Sequence, residues 1–185
     1  GAQDLNRYDY TSYRAKLKFK PTEKFSLGAS YWHYKADGPG GGSTADDAGD
    51  ADRGVRLASA LEYSLAGATA DYDFGPVALS YSFADNAFKL PQKGELFGGT
   101  LIGDIGIDVR SHELRLASTG EGPLQWTLGA YQREAIRQDK FVFALFGIDN
   151  KSRTKAVSEA LFGEATYALS SAPIDLTLGL RSVRE

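Results

Sequence analysis

Cysteine and methionine are both absent from this sequence of 185 residues. The lack of cysteine excludes a disulfide framework, thiol catalysis and a thiolate metal site. The lack of methionine, even at the first position, leads us to expect a chain that was processed or excised from a longer one. A net charge of −3 gives no basic excess of the kind that nucleic-acid-binding proteins carry, so no nucleic-acid partner is expected.

Long apolar runs are also missing. No window approaches the roughly 18 uninterrupted apolar residues that a transmembrane helix needs, so the sequence excludes a helical membrane protein. It does not exclude a transmembrane β-barrel, because barrel strands carry their apolar residues only at every second position. A mean hydropathy of −0.32 is therefore compatible with a membrane protein.

The dominant pattern is an alternation of apolar and polar residues with a period of two. In the first segment, positions 11, 13, 15, 17 and 19 are apolar or neutral, and charged or hydroxyl residues lie between them. About seven further segments follow, most of them long enough for the roughly 9–11 residues of a tilted membrane strand. A helix would distribute these charges around its whole surface, so the pattern predicts about eight β-strands. The third segment is the least regular, because its first half, 57–65, fits the opposite register.

The connections between the segments alternate in length. Four are short, at about 20–24, 75–76, 119–123 and 170–173, and three are long, at about 36–60, 88–108 and 135–157. This alternation places all short turns at one end of the sheet and all long loops at the other, as in barrels with short periplasmic turns and long extracellular loops. Nothing forces the long loops of a β-sandwich to one end. We therefore predict a single all-β domain over 1–185, part of an antiparallel up-and-down transmembrane β-barrel.

Aromatic residues cluster near the predicted strand ends. Tyr and Trp suit the lipid headgroup boundary because their rings are apolar and their tips form hydrogen bonds. Ordinary cross-strand pairing is the alternative for any one ring. The rings concerned are Tyr8, Tyr10, Phe19, Phe25, Tyr31, Trp32, Tyr34, Phe74, Phe83 and Phe88.

Several stretches resemble the β-barrel of TonB-dependent outer-membrane receptors. The stretches 14–27 and 71–80 are similar to strand–turn–strand units of that barrel. The best match is SHELRLAS at 111–118 followed by GPLQWTLGAY at 122–131, and 161–169 and 178–181 continue the similarity. The resemblance covers nearly all predicted strands and short turns but not the long loops.

This resemblance implies about eight strands of a 22-stranded barrel in the outer membrane of a Gram-negative bacterium, with a function in transport and not in catalysis. The family takes up scarce nutrients such as siderophore–metal chelates, vitamins or glycans. The implied partners are outer-membrane lipid, TonB, the receptor's own plug domain and a small-molecule ligand; no cofactor is implied. The plug, the TonB box and the terminal aromatic strand are not visible here, so we expect about a third of a barrel, from its middle.

Charged residues at the polar positions of the strands would line the lumen of such a barrel. Because both signs are interspersed, an ion-pair lattice is the favoured interpretation, and steering of an anionic ligand is the alternative. The predicted lumen-facing residues are Arg14, Lys16, Lys18, Glu113, Arg115, Arg133, Glu164, Asp175 and Arg181.

The connection at 135–157 contains the apolar run KFVFALFG, which should not lie bare in an extracellular loop. Either its rings contact ligand at the mouth of the barrel, or the strand continues above the membrane and packs on its neighbours. The ligand-contact candidates are Arg133, Arg137, Phe141, Phe143 and Phe146.

No catalytic or metal site is predicted. His33 and His112 lie on predicted strands without partner motifs. Four aspartates at 46, 47, 50 and 52 lack the spacing and the closing Glu of a calcium loop, so the Gly-rich segment 38–52 is expected to be a flexible, solvated loop.

Two other architectures compete with the receptor interpretation. Eight strands can close into a self-contained barrel with a structural or adhesin role, in which the first and last strands would pair. A soluble β-sandwich acting as a binding module is the other alternative.

Overall fold

One antiparallel sheet contains nearly all of the residues that the computed structural model describes, which are 9–38, 56–169 and 171–185. Its eight strands pair in chain order and confirm the predicted all-β, up-and-down fold. The strands are β1 (Asp9–Phe19), β2 (Phe25–Gly38), β3 (Arg56–Asp73), β4 (Val77–Leu96), β5 (Gly99–Ser118), β6 (Leu124–Phe143), β7 (Ile148–Leu169) and β8 (Ile174–Arg184). Among the described residues, no helix has the length and apolar character needed to cross a membrane.

The short turns occur where the sequence predicts them. At the β3–β4 turn, Gly75 adopts a φ of 98°, which a residue without a Cβ tolerates best, and its N–H donates to Asp73 Oδ1 at 2.7 Å. At the β1–β2 turn, the Phe25 N–H donates to Thr22 Oγ1 at 3.0 Å. Local side-chain to backbone hydrogen bonds therefore fix both turns.

Two of the predicted long loops are hairpins whose strands continue almost to the tip. Strands β4 and β5 meet at a two-residue turn, Phe97-Gly98, in which both residues have a positive φ, 50° and 76°. This is the backbone of a type I′ hairpin turn. Strands β6 and β7 meet at a single 3₁₀ turn, Ala144–Phe146, which ends at Gly147 with a φ of 67°. Of the third predicted loop, 36–60, residues 39–55 lie outside the described residues.

The strands are staggered along the sheet. A row of paired residues, one on each strand, connects Phe19, the last residue of β1, to Ser182 on β8. Without a stagger, this row would end at Ile174, the first residue of β8. The stagger is about one residue per strand, and a sheet must be staggered and tilted in this way to curve into a barrel.

Directly paired residues on neighbouring strands point to the same side, so the pairing register assigns every side chain to one of two faces. We call one side the outer face and the other the inner face; the half of the sheet near the short turns is the lower half, and the half with the hairpin tips is the upper half. The outer face of the lower half carries Leu17, Leu27, Leu79, Leu114, Leu128, Leu161 and Leu178.

Strand β3 has one continuous register. Its pairing with β2 is unbroken from Tyr72 to Ser59. The apolar residues of its first half therefore lie on the inner face and those of its second half on the outer face. Its pairing with β4 lacks only two pairs, at Ala60 and Leu61, beside Pro91, which has no N–H to donate. The irregular pattern at 57–65 is thus a change of face polarity and not a slip of register.

The sheet has almost no core of its own. Among the described residues, the buried hydrophobic side chains are Leu101, Phe143 and Ala160. The described strands form one sheet, so they do not build a β-sandwich. Strands β1 and β8 are the two edges of this sheet and do not pair with each other, so the described strands do not form the closed eight-stranded barrel either.

Candidate functional site

The outer face changes character between its two halves. Below, it is apolar; above, it carries charged side chains that pair across strands. Arg110 Nη2 lies 2.9 Å from Asp85 Oδ2, and Lys155 Nζ lies 2.6 Å from Glu134 Oε2. Lys35 and Asp37 form a third pair at 2.7 Å. A surface of exposed ion pairs belongs in water, so the apolar band ends below this row.

Two ion pairs on the outer face of the upper half each shift the pKa of one member. The hydrogen bond from Lys155 lowers the pKa of Glu134, and the more distant Arg110 lowers it further. The hydrogen bond that Lys35 donates to Asp37 raises the pKa of Lys35. These side chains are therefore charged at neutral pH, as expected of residues in contact with water.

The inner face of the lower half is polar. The pairing register places all nine predicted lumen-facing residues on this inner side: Arg14, Lys16, Lys18, Glu113, Arg115, Arg133, Glu164, Asp175 and Arg181. Glu113 and Arg115 form an ion pair, and Asp71 accepts a hydrogen bond from Ser26 at 3.3 Å. The structure shows that these nine residues lie on one face of the sheet. That this face lines the lumen of a barrel remains a prediction.

One aromatic ring lies among these polar residues. Phe162 is paired with Gly129, and a Cβ placed on Gly129 would collide with the Phe162 ring. The Arg115 guanidinium lies 5.7 Å from the centroid of the same ring. Gly129 therefore supplies the space that this ring occupies, and Arg115 adds a cation–π contact.

Over strands β2 to β5 the inner face of the upper half is apolar, the reverse of the outer face at the same height, whereas on β6 it also carries Arg137 and Asp139. Neighbouring strands β2 to β5 contribute side chains to one continuous surface, which we call the vestibule. Its residues are Trp32, Tyr34, Leu61, Tyr63, Leu65, Phe88, Leu90, Ile105, Ile107 and Val109. Going up strands β2 to β5, the polarity of both faces thus inverts.

Hydrogen bonds fix two rings of the vestibule by their polar tips. The Trp32 Nε1–H donates to Ser12 Oγ at 3.0 Å, and Asn86 Nδ2 donates to Tyr63 OH at 2.9 Å. The two rings meet edge to face, with centroids 5.2 Å apart. Trp32 is still 37% exposed. The rings are therefore held in position while part of their apolar surface remains accessible.

The ligand-contact candidates of the sequence lie near this surface on β6. Arg133, Arg137, Phe141 and Phe143 all lie on the inner face. Arg137 forms a fork with Asp139, with contacts of 2.8, 2.8 and 3.1 Å, and this hydrogen bonding lowers the pKa of Asp139. Arg137 is thus largely neutralised by a neighbour on its own strand.

The phenylalanines of the 135–157 connection divide into two groups. Phe143 is 5% exposed and packs near Leu101 and Phe146, with the Phe143 and Phe146 centroids 4.9 Å apart. Phe141 and Phe146 remain exposed. The strand therefore continues and packs on its neighbours, as in one interpretation of the sequence, and two of its three rings remain accessible. Ligand contact at these residues stays a prediction.

The assignment of all strand-end aromatics to a headgroup belt is wrong for four of them. Tyr10, Trp32, Tyr34 and Phe88 lie on the inner face, whereas Tyr31 and Phe83 lie on the outer face. The sequence contained a signal for this, because the adjacent residues Tyr31 and Trp32 on one strand must face opposite sides. Tyr8 lies outside the described residues.

The histidines have no metal-binding surroundings in the part of the chain that the structure describes, which contains no group of three or more potential metal ligands. His112 Nδ1 forms a hydrogen bond with Tyr81 OH at 2.8 Å on the outer face, at the upper edge of the apolar band. The His33 ring stacks on Tyr13 at 5.0 Å. Asp46, Asp47, Asp50 and Asp52 lie outside the described residues.

Comparison with solved structures identifies the fold. The ferric yersiniabactin uptake receptor FyuA from Yersinia pestis matches 95% of this chain with a TM-score of 0.76 and 12% identity. The ferric preacinetobactin receptor BauA from Acinetobacter baumannii matches 95% with a TM-score of 0.67 and 12% identity. The ferric citrate transporter FecA matches 98% with a TM-score of 0.60 and 15% identity. The fold is that of the barrel portion of TonB-dependent receptors.

The chain spans about a third of the length of these proteins, namely 29% of FyuA and 33% each of BauA and FecA. No family model matches the sequence. No curated protein matches it either. The predicted partial barrel is confirmed as a fold, and the similar proteins are receptors and transporters, not enzymes, by name.

Proposed function

We propose that this chain is part of the barrel of an outer-membrane TonB-dependent receptor that takes up a scarce nutrient. The observation that carries the proposal is the inversion of polarity between the two halves of the sheet. A membrane requires an apolar outer face only over the height of its hydrocarbon core, and water outside requires a polar outer face above it. A receptor also needs a surface for ligand at its mouth, and the vestibule lies there.

The dimensions agree with a barrel that extends beyond the membrane. Strand β4 continues from Phe83, at the upper edge of the apolar band, to Leu96, which is roughly 30 Å further along the barrel axis for a strand of ordinary rise and tilt. The hairpins therefore hold the vestibule outside the membrane, where a dilute ligand first meets the receptor.

The partners follow from the same proposal. The edges β1 and β8 would pair with further strands of the receptor, since an unpaired strand edge cannot face lipid. The polar inner face of the lower half would contact water and the plug domain, and TonB would energise passage of the ligand. The similar structures suggest a ferric chelate as the nutrient, because each of the three is named for a ferric compound.

Iron uptake by intact cells tests this function. Cells that lack the full-length gene would be supplied with radioactive iron as a panel of ferric chelates, alone and after complementation with the wild-type gene. We expect complementation to restore uptake of at least one chelate in cells with TonB and not in cells without it.

A matched pair of variants links that uptake to the vestibule. Ile107→Arg places a charge in the vestibule, whereas Asp108→Arg changes the adjacent residue on the outer face. We expect the first variant to reduce uptake and the second to leave it unchanged. Uptake that is independent of TonB, or that is the same with and without the gene for every chelate, contradicts the proposal.

A further inference from the structure

The vestibule restricts the chemistry of the ligand. We infer that it binds a ligand that presents aromatic or apolar groups and little net negative charge, in preference to a small polyanionic chelate. This inference rests on the proposed function and adds the ligand class to it. The argument uses the aromatic rings of β2 to β4 and the charges that surround them.

The rings form a platform across three strands. Tyr34, Tyr63 and Phe88 lie on one hydrogen-bonded row, and Trp32 lies one inner-face position below Tyr34 on β2. The contact between Trp32 and Tyr63 joins the rows, at 5.2 Å between centroids. Isoleucine and leucine side chains of β4 and β5 continue the surface upward. A ligand with a flat apolar face can cover several of these side chains at once.

The platform is prepared before ligand binds. The tips of Trp32 and Tyr63 are already hydrogen-bonded to Ser12 and Asn86, at 3.0 and 2.9 Å. A ring that is fixed by its polar tip loses little conformational freedom when another ring packs on it, so binding is less costly. The Trp32 N–H is thus already used, and the Tyr63 hydroxyl keeps only its own proton to donate, so most of what the two residues offer a ligand is ring surface.

The charges around the platform do not suit a polyanion. Arg14, paired with Trp32 across β1 and β2, is the charged residue nearest in register. Arg137 lies on the same row as Phe88 but is held by the Asp139 carboxylate at 2.8 Å. The other described cations of β1, Lys16 and Lys18, lie below Arg14 and away from the platform. A chelate with several negative charges would bury most of them against apolar side chains, which is costly. The charges of the described inner face therefore favour a ligand with little net negative charge.

Three ferric complexes with the same metal separate these ligand classes. Ferric tris(benzohydroxamate) is neutral and aromatic, ferric tris(acetohydroxamate) is neutral and lacks rings, and ferric citrate is anionic. Their binding to the full-length receptor in detergent would be measured by titration calorimetry. We expect the aromatic complex to bind at least tenfold more tightly than either of the others.

Variants locate the preference on the platform. Trp32→Leu combined with Tyr63→Leu should reduce the affinity for the aromatic complex about tenfold, since both substitutions remove ring–ring contacts with the ligand. Trp126→Leu is the matched control, because this ring lies on the outer face near the lower end of β6, and it should change nothing. Thermal unfolding of each variant shows that the barrel is intact.

Three results with the unsubstituted receptor would overturn the inference. They are equal binding of the two neutral complexes, tighter binding of ferric citrate, and failure of all three to bind. The first two leave the receptor function intact, and the uptake assay with and without TonB judges that function separately in every case. A preference for the aromatic complex that survives the double substitution would also overturn it, because the platform would then not be the site.

Discussion

The lower and upper halves of the sheet are built from the same strands and have opposite polarity. In the lower half leucines such as Leu128 face outward and charges such as Glu164 face inward. In the upper half ion pairs such as Asp85–Arg110 face outward, and rings such as Phe88 face inward. The register does not change between the halves, so the medium around the barrel changes. Under the proposed function, this difference marks the height at which lipid gives way to water.

The strongest test of this comparison places a charge on the outer face of each half. Leu128→Arg should destabilise the full-length receptor by about 2–4 kcal/mol, because the charge meets hydrocarbon near the middle of the apolar band. Ile136→Arg, on the same face of β6 but above the band, should cost at most about 1 kcal/mol. Denaturant unfolding from lipid vesicles measures both. Equal costs would mean that the two positions share one environment.

A smaller effect is expected from closing the space at a glycine. Gly129→Ala forces the Phe162 ring of the lower half to move, and we expect a cost of about 1–3 kcal/mol in the same unfolding assay. Gly106→Ala, in the upper half, has only ordinary contacts at 3.9 Å or more and should change the stability by less than about 0.5 kcal/mol. If Phe162→Ala does not relieve the cost of Gly129→Ala, the ring is not its cause.

The hairpin tips of the upper half offer a local test. Phe97 is 80% exposed and has a φ of 50°, a conformation that costs a non-glycine residue about 1 kcal/mol. Phe97→Asn gives the Asn-Gly pair that type I′ turns favour and should increase the protection of nearby amides against hydrogen exchange by about 1 kcal/mol. Phe146→Asn, at the neighbouring tip and without a positive φ, is the control and should give no gain. Unchanged protection in both variants would mean that Phe97 is not strained.

The smallest expected effect is the response of the upper ion pairs to pH. Lys155 lowers the pKa of Glu134 and Arg137 lowers the pKa of Asp139, so both pairs stabilise the β6–β7 hairpin above the ordinary carboxyl pKa. This stabilisation is lost as the pH falls through the lowered values. Hydrogen exchange of the hairpin, taken relative to the intrinsic exchange rate of each amide at the same pH, should therefore be constant from pH 7 to about 5 and rise below about 4. Glu134→Gln should weaken the response, and a rise that begins near pH 6 would point to a different group.

Much of the lower half could be predicted from the sequence because one physical rule governs it. Lipid outside and water inside require apolar and polar residues to alternate strictly along each strand. The polarity of Leu17 and of Lys18 is therefore enough to predict the face on which each lies. The short turns were also evident, since Pro21 and the Gly75-Pro76 pair interrupt that alternation.

The upper half was harder to predict because its alternating apolar residues lie on the inner face, whereas those of the lower half lie on the outer face. Leu61 and Leu65 suggested a slipped register in β3, although only the environment had changed. The hairpin of β4 and β5 resembled a loop because Pro91, Gly94 and Gly103 lie in its strands. The aromatic platform was missed for the same reason, since Trp32 and Phe88 were assigned to the lipid boundary by residue type and not by face.

Labelling of single cysteines on intact cells tests the inversion of polarity most directly. These 185 residues contain no cysteine, so Leu128→Cys and Gln138→Cys each introduce one thiol into this part of the receptor, both on the outer face of β6. A membrane-impermeant maleimide should label position 138 on intact cells and should leave position 128 unlabelled until detergent is added. Labelling of position 128 on intact cells, or protection of position 138, would contradict the account.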